Sequence, residues 1–264
     1  GAGKTTTIKI LLRIIYPTTG TAFLMGQELG QAIQHRQIGY MPENPYFYRF
    51  LTGYEFLMFY GCLSGLSGRE RKQRAEELLD LVGMRFARDV RVGNYSKGMV
   101  TRIGLAQALL TNPRLLLMDE PMSGLDPIGR REIRNLIMQL REQKITIFFC
   151  SHILADVETI CDRIAILSKG KMVKTGTVSE ILEEQTSAVR VSVGQYNPQL
   201  KEQLEAMAEE ARESGGLLHL RAADRTAANN ICEACIQANA VIHEVTPERG
   251  NLEDYFVREV ASIE

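Results

Sequence analysis

The sequence predicts an α/β domain on a largely parallel sheet, followed by a small α+β domain. Three observations predict it. Strand-like and helix-like segments alternate from residue 1 to about 186, as in a parallel sheet whose crossovers are helices. Leu115-Leu116-Leu117-Met118 is a short unbroken apolar run, the pattern of a strand covered on both faces, and it ends in Asp119-Glu120. Gly1-Ala2-Gly3-Lys4-Thr5-Thr6 leads into a helical pattern and supplies the last positions of the phosphate-binding pattern G-x-x-x-x-G-K-[ST].

Taken in order, Ile8, Leu11, Leu12 and Ile15 recur at helical spacing until Pro17. Strands are predicted at Ala22 to Met25 and Gln37 to Met41, the second ending in a Pro42-Glu43-Asn44-Pro45 loop. Thr52-x-x-Glu55 and Ser67-x-x-Glu70 are capping boxes opening helices to about Leu63 and Gly83. After an irregular polar stretch, Ser96 is the expected N-cap of a helix through Leu110. Asp126-Pro127, an N-cap followed by Pro at the first helical position, opens a helix to about Gln143 after the buried strand. A strand at Ile145 to Cys150 leads through Ser151-His152 into another helix. Strands at Arg163 to Leu167 and Lys171 to Lys174 flank a Lys169-Gly170 turn, and Thr177-x-x-Glu180 caps a short helix. The composition shifts near Gln185 to Ala188, placing the domain boundary between 186 and 187. Beyond it the pattern reads strand (Val189 to Val193), helix (Pro198 to Arg212), strand (Leu217 to Arg221), helix (Arg225 to Ala238), strand (Val241 to Val245) and a final helix from Leu252. A ferredoxin-like open sandwich is expected there.

Of 264 residues, 45% are hydrophobic and 24% charged, the balance of a globular chain. Lys and Arg total 31 against 32 acidic residues, a net charge of −1 that gives no electrostatic reason for binding nucleic acid. The longest apolar stretch, Ile8 to Ile15, is broken by Lys9 and Arg13, so no membrane span is expected. Five cysteines in a chain this long do not form a disulfide framework, and a reducing compartment is expected. Cys232 and Cys235 make a C-x-x-C inside an Ala-rich helical pattern, read first as two small apolar residues on one helix face.

A phosphate loop presents backbone N–H groups and a helix N-terminus to nucleotide phosphates; Gly1, Ala2, Gly3, Lys4, Thr5 and Thr6 are the candidates for that contact. Lys4 reaches the terminal phosphates and the Thr5 hydroxyl ligates Mg²⁺. Such a loop needs an acidic residue at the end of a buried strand to hold the metal, and Asp119 follows four apolar residues. Glu120 beside it is the candidate general base that orients and deprotonates an attacking water.

Gly-Ala-Gly-Lys-Thr-Thr, Tyr95-Ser96-Lys97-Gly98-Met99, Leu115-Leu116-Leu117-Met118-Asp119-Glu120-Pro121, Ser123-Gly124-Leu125-Asp126 and Ser151-His152 occur in that order. Together they resemble the nucleotide-binding subunit of an ABC transporter, and the resemblance covers residues 1 to about 186. It implies a P-loop NTPase with a RecA-like core and a helical subdomain, binding ATP and Mg²⁺. Ser96 and Gly98 match the signature segment that closes over ATP held by the other subunit of a dimer, although Lys97 and Met99 depart from the commonest L-S-G-G-Q form. Asp126 matches the loop linking the two sites. His152 matches the switch histidine at the γ-phosphate. Glu43 falls where the family has a Gln that touches Mg²⁺. The aromatic stretch Pro45 to Phe50 either docks a membrane subunit's cytoplasmic helix or packs on its own domain. Asn251-Leu252-Glu253-Asp254-Tyr255-Phe256 resembles the C-terminal extension of ATPase subunits from bacterial exporters.

The resemblance therefore implies an ATP-hydrolysing export subunit on the cytoplasmic face of the plasma membrane, partnered by a second copy or paralogous ATPase and by a polytopic permease. A non-transport or regulatory ABC-type ATPase is the alternative. Because the loop pattern's first Gly and its feeding strand would precede Gly1, this chain is expected to bind ATP poorly although a longer parent binds well.

Overall fold

The computed structural model describes residues 2–29, 35–45, 47–183, 188–248 and 251–261. Gly1 and the expected boundary between 186 and 187 lie outside them. The chain divides into two compact units, Gly1–Ile160 with Leu167–Met172, and Cys161–Ile166 with Val173–Glu264.

In the first unit α1 (Lys4–Leu11) starts after Gly3, whose φ of +99° is open to glycine. The apolar spacing predicted a longer helix, to Ile15. It ends at Leu12 because Arg13 takes the left-handed conformation, φ +58°, and the Ile14 N–H turns back to the Lys9 carbonyl at 2.9 Å. A tight antiparallel hairpin follows, β1 (Phe23–Leu24) and β2 (Gln27–Glu28), turning at Met25-Gly26 with φ positive at both. Only its first strand was expected.

The unit's sheet has three parallel strands, β3 (Ile38–Met41), β4 (Leu115–Asp119) and β5 (Thr146–Cys150), with β4 in the centre. All five β4 residues are buried, as their unbroken apolar run required. Between the strands come α2 (Gly53–Leu63), α3 (Gly68–Leu81), α4 (Lys97–Ala108) and α5 (Pro127–Glu142), and α6 (Leu154–Ile160) follows β5. The two expected capping boxes are formed, Thr52 with Glu55 and Ser67 with Glu70. Helices α2, α3 and α4 pack on one another, while α1 packs on β4, α4 on β3 and α5 on β5. Gly39 lets α4 approach β3: a Cβ there would lie 2.3 Å from the Ala108 carbonyl oxygen. Ile8, Leu24, Leu115, Leu117 and Cys150 form the core under α1.

A two-stranded sheet, β6 (Arg163–Ser168) and β7 (Lys171–Thr177), precedes α7 (Val178–Glu183), where Thr177 and Glu180 exchange the expected capping bonds. The second unit is then built on β8 (Val189–Gly194), α8 (Pro198–Met207), β9 (Glu210–Ser214), β10 (Leu217–Ala222), α9 (Arg225–Gln237) and β11 (Val241–Pro247), with α10 (Leu252–Ala261) packing on α7. The four strands are antiparallel in the order β11-β8-β10-β9. This is the β-α-β-β-α-β ferredoxin-like arrangement. The sequence pattern predicts α8 through Arg212. Instead the helix stops at Met207 and Glu210–Ser214 pairs with β10 through a Gly215-Gly216 turn, φ +61° and +77°. The core gathers Val191, Val193, Leu218 and Leu220 from the sheet with Leu200, Leu204, Ile231 and Cys235 from the two helices.

Candidate functional site

Glu120 is the centre of an ionisable cluster at the end of β4. It leaves β4 in the left-handed conformation, φ +50°, with its N–H donating to the Cys150 carbonyl at 3.0 Å. That turn aims a side chain only 10% exposed at two partners. Its Oε1 lies 3.6 Å from Lys4 Nζ. Its Oε2 lies 2.7 Å from His152 Nδ1 and accepts the His152 backbone N–H at 3.2 Å. Helix α1 positions Lys4, the end of β4 positions Glu120, and the loop after β5 positions His152. Because β4 pairs with both neighbours in parallel register, these ends converge on one edge of the sheet.

Asp119, 2% exposed, sits just inside that edge, and its Oδ1 is buried without a hydrogen-bond partner. An orphaned carboxylate oxygen in so dry a position needs a donor or a cation. Its charge also reaches its neighbours. Burial, reinforced by Asp119 and partly offset by Lys4, pushes the Cys150 thiol up to about 12. Burial, then Asp119 and Cys150, raises the Tyr40 phenol. Cys150, expected from the sequence as a core residue, ends β5, and Tyr40 lies one residue from the end of β3, so the two flank the Asp119 end of β4.

At the start of α1 the Thr7 N–H and hydroxyl both return to the Gly3 carbonyl, at 2.9 and 3.0 Å. The earlier N–H groups of the turn lack intrahelical acceptors, as at any helix start, so Lys4, Thr5 and Thr6 present them outward. Ala2 lies just ahead of this turn, and Gly1 is outside the described residues. Glu43 is exposed in the loop after β3.

Ser96, Gly98 and Asp126 occupy a different place. With Lys97, Met99 and Gly124 they line a groove of about 550 Å³. Ser96 Oγ accepts the Met99 N–H at 3.3 Å, and Asp126 Oδ1 accepts the Gly129 N–H at 3.2 Å, so both also cap their helices. Lys97 bears on the second segment: a Cβ on Gly124, φ +68°, would lie 2.5 Å from Lys97 Nζ. The site residues thus form two sets, one around Glu120 and one between the starts of α4 and α5. In the aromatic stretch Phe47 packs edge-on against Phe56, ring centroids 4.5 Å apart, whereas Tyr48 and Phe50 are exposed.

The family model described as ABC transporter matches residues 1–123. An ABC transporter ATP-binding protein of Synechocystis is 41% identical over 262 residues, covering 98% of this chain and 72% of that protein. The chain belongs to the ATP-binding proteins of ABC transporters. The bacitracin transport ATP-binding protein of Bacillus licheniformis is 42% identical over 177 residues, 66% of this chain, which spans 57% of that relative's length. Among solved structures, one described as the ATP-binding subunit of an ABC transporter superposes with a TM-score of 0.60 at 32% identity, covering 70% of this chain and 78% of that one. The first unit therefore has the P-loop NTPase fold of an ABC-type ATPase. Among the described residues no helix is long and apolar enough to cross a membrane.

Proposed function

We propose that this ABC-type ATPase subunit hydrolyses ATP with Glu120 as general base and works as a dimer that drives export through separate membrane subunits. The convergence of Lys4 and His152 on the Glu120 carboxylate carries the reading. Lys4 is the counter-ion of Glu120, at 3.6 Å. Nucleotide phosphates draw the Lys4 ammonium to themselves, and the Glu120 carboxylate is then free to accept a proton from water. His152, held by Glu120 through both its ring and its backbone N–H, has its other ring nitrogen left to reach the γ-phosphate. The N–H groups at the start of α1, from Ala2 through Thr6, cradle the phosphates.

Mg²⁺ fits the residues present. The orphaned Asp119 Oδ1 and the Thr5 hydroxyl are hard oxygen donors of the kind that holds this ion beside phosphates. Bound there, the ion would neutralise charge on the transferred phosphoryl group. Glu43 is assigned the role of the family's Gln.

Ser96, Gly98 and Asp126 line an open groove, the arrangement needed if they close over nucleotide held by the other subunit. Tyr48 and Phe50, 47% and 68% exposed, offer an aromatic surface for a cytoplasmic helix of the permease, which would hold the subunit at the cytoplasmic face of the membrane. The bacitracin relative supports a transport role, and the likeness of the tail to exporter subunits favours export. We place the functional boundary between ATPase and accessory domain at 186/187. The test is Lys4→Ala in the assembled transporter: ATP affinity should fall about 10- to 100-fold, the loss of one hydrogen bond to a charged group. Unchanged affinity would remove Lys4 from the site.

A further inference from the structure

Helix α6 starts two residues after His152 and has 7 residues, too few to hold its shape unaided. Its place is set by what it buries, and its buried residues are Asp156 and Ile160. One of the two is therefore a carboxylate, 2% exposed. Asp156 Oδ1 accepts Nη1 of Arg134 on α5, the helix against which α6 packs. α5 is anchored independently of this contact, because Ile133, Ile137 and Leu140 are buried along its inner face.

As a stabilising contact the pair is poor. Asp156 Oδ2 is buried without a hydrogen-bond partner among the described residues, and two apolar residues of similar volume would serve stability as well or better. What the pair adds is a fixed register between a long helix and a short one. The short one carries His152 with it. The Ile153 N–H donates to Ser151 Oγ at 3.0 Å and the Val157 N–H to the Ile153 carbonyl at 3.3 Å, so the loop holding His152 is tied to the first turn of α6. His152 in turn meets Glu120 through its ring, at 2.7 Å, and through its backbone N–H. We infer, resting on the roles proposed for Glu120 and His152, that Arg134 and Asp156 are positioning residues whose ion pair fixes α6 and so holds His152 on Glu120. Through Arg134 the pair also joins His152 to α5, the helix that Asp126 caps.

ATP turnover of the assembled transporter, measured for R134M/D156L with and without H152A, is the test. Removing both partners leaves no buried charge unpaired, so the melting temperature of the subunit should not fall. KM for ATP should hold, because Lys4 and Thr5 lie on α1 rather than α6, while kcat falls about 10- to 100-fold as His152 is displaced. In the H152A background the double substitution should cost nothing further in kcat, since its effect runs through His152. The parent's kcat in R134M/D156L would overturn the proposal. So would a lowered melting temperature, a raised KM, or losses that multiply in the H152A background. An H152A variant turning over at the parent's kcat would instead remove His152 from the site, and the positioning role with it.

Discussion

Glu120 holds a left-handed backbone conformation that costs a residue with a Cβ about 1–2 kcal/mol. The Cys150 carbonyl, which accepts its N–H, and the His152 contacts fix the turn. What the turn gains is direction: the carboxylate leaves the end of a buried strand toward Lys4. The phosphate-loop and strand-end patterns single out Lys4 and Glu120, and the family resemblance singles out His152; the structure brings the three side chains together. The turn that joins them was not legible, since nothing in a Glu foretells a positive φ. Cys150 was legible only as an apolar strand residue. Its thiol, pushed from 9.0 up to about 12 by burial and Asp119, is protonated in the folded chain and inert. A thiol-alkylating reagent at pH 8 should therefore label exposed Cys62 while sparing Cys150, as read by mass spectrometry of the labelled peptides. Equal labelling would contradict the packing described. Because the folded value is raised, the associated stability is complete below about pH 9 and is lost as pH rises toward 12.

Elements whose ends carry their own chemistry were read well. Thr52 with Glu55 and Ser67 with Glu70 form capping boxes because each pair satisfies two N–H groups locally, with no help from the tertiary fold. Thr52→Ala should cost about 1 kcal/mol in chemical denaturation, and no loss would deny the cap its role. Elements defined by partners were read poorly. β9 is exposed at all five residues, and Glu210-Ala211-Arg212-Glu213 has the composition of a solvated helix. Only its pairing with β10 makes it a strand, and its charges suit an edge that must resist further pairing. The Gly215-Gly216 pair was the available signal. Gly39 is likewise explained by a neighbour distant in sequence. Gly39→Ala should destabilise the first unit by about 1–3 kcal/mol, because the Ala108 carbonyl cannot move without shifting the end of α4. A melting temperature equal to the parent's would refute that approach.

At the scale of the whole molecule, the two units have separate cores and differ in their ionic features. In the second unit Glu248 is held below the usual carboxylate range, chiefly by its bond to Arg221 at 2.8 Å and further by Arg190. A depressed carboxylate contributes stability above its unfolded pKa and loses it as pH falls through the folded value. Glu248→Gln should therefore flatten the acid side of the stability–pH curve, and an unchanged slope would contradict this. In the first unit Lys4 and His152 converge on Glu120, and the proposed hydrolysis depends on Glu120 as the base. ATP turnover and ATP-driven association measured together on Glu120→Gln in the assembled transporter test that assignment most directly. The predicted result is turnover reduced about 10²- to 10⁴-fold with ATP-induced dimers that persist; hydrolysis at the parent rate would contradict it.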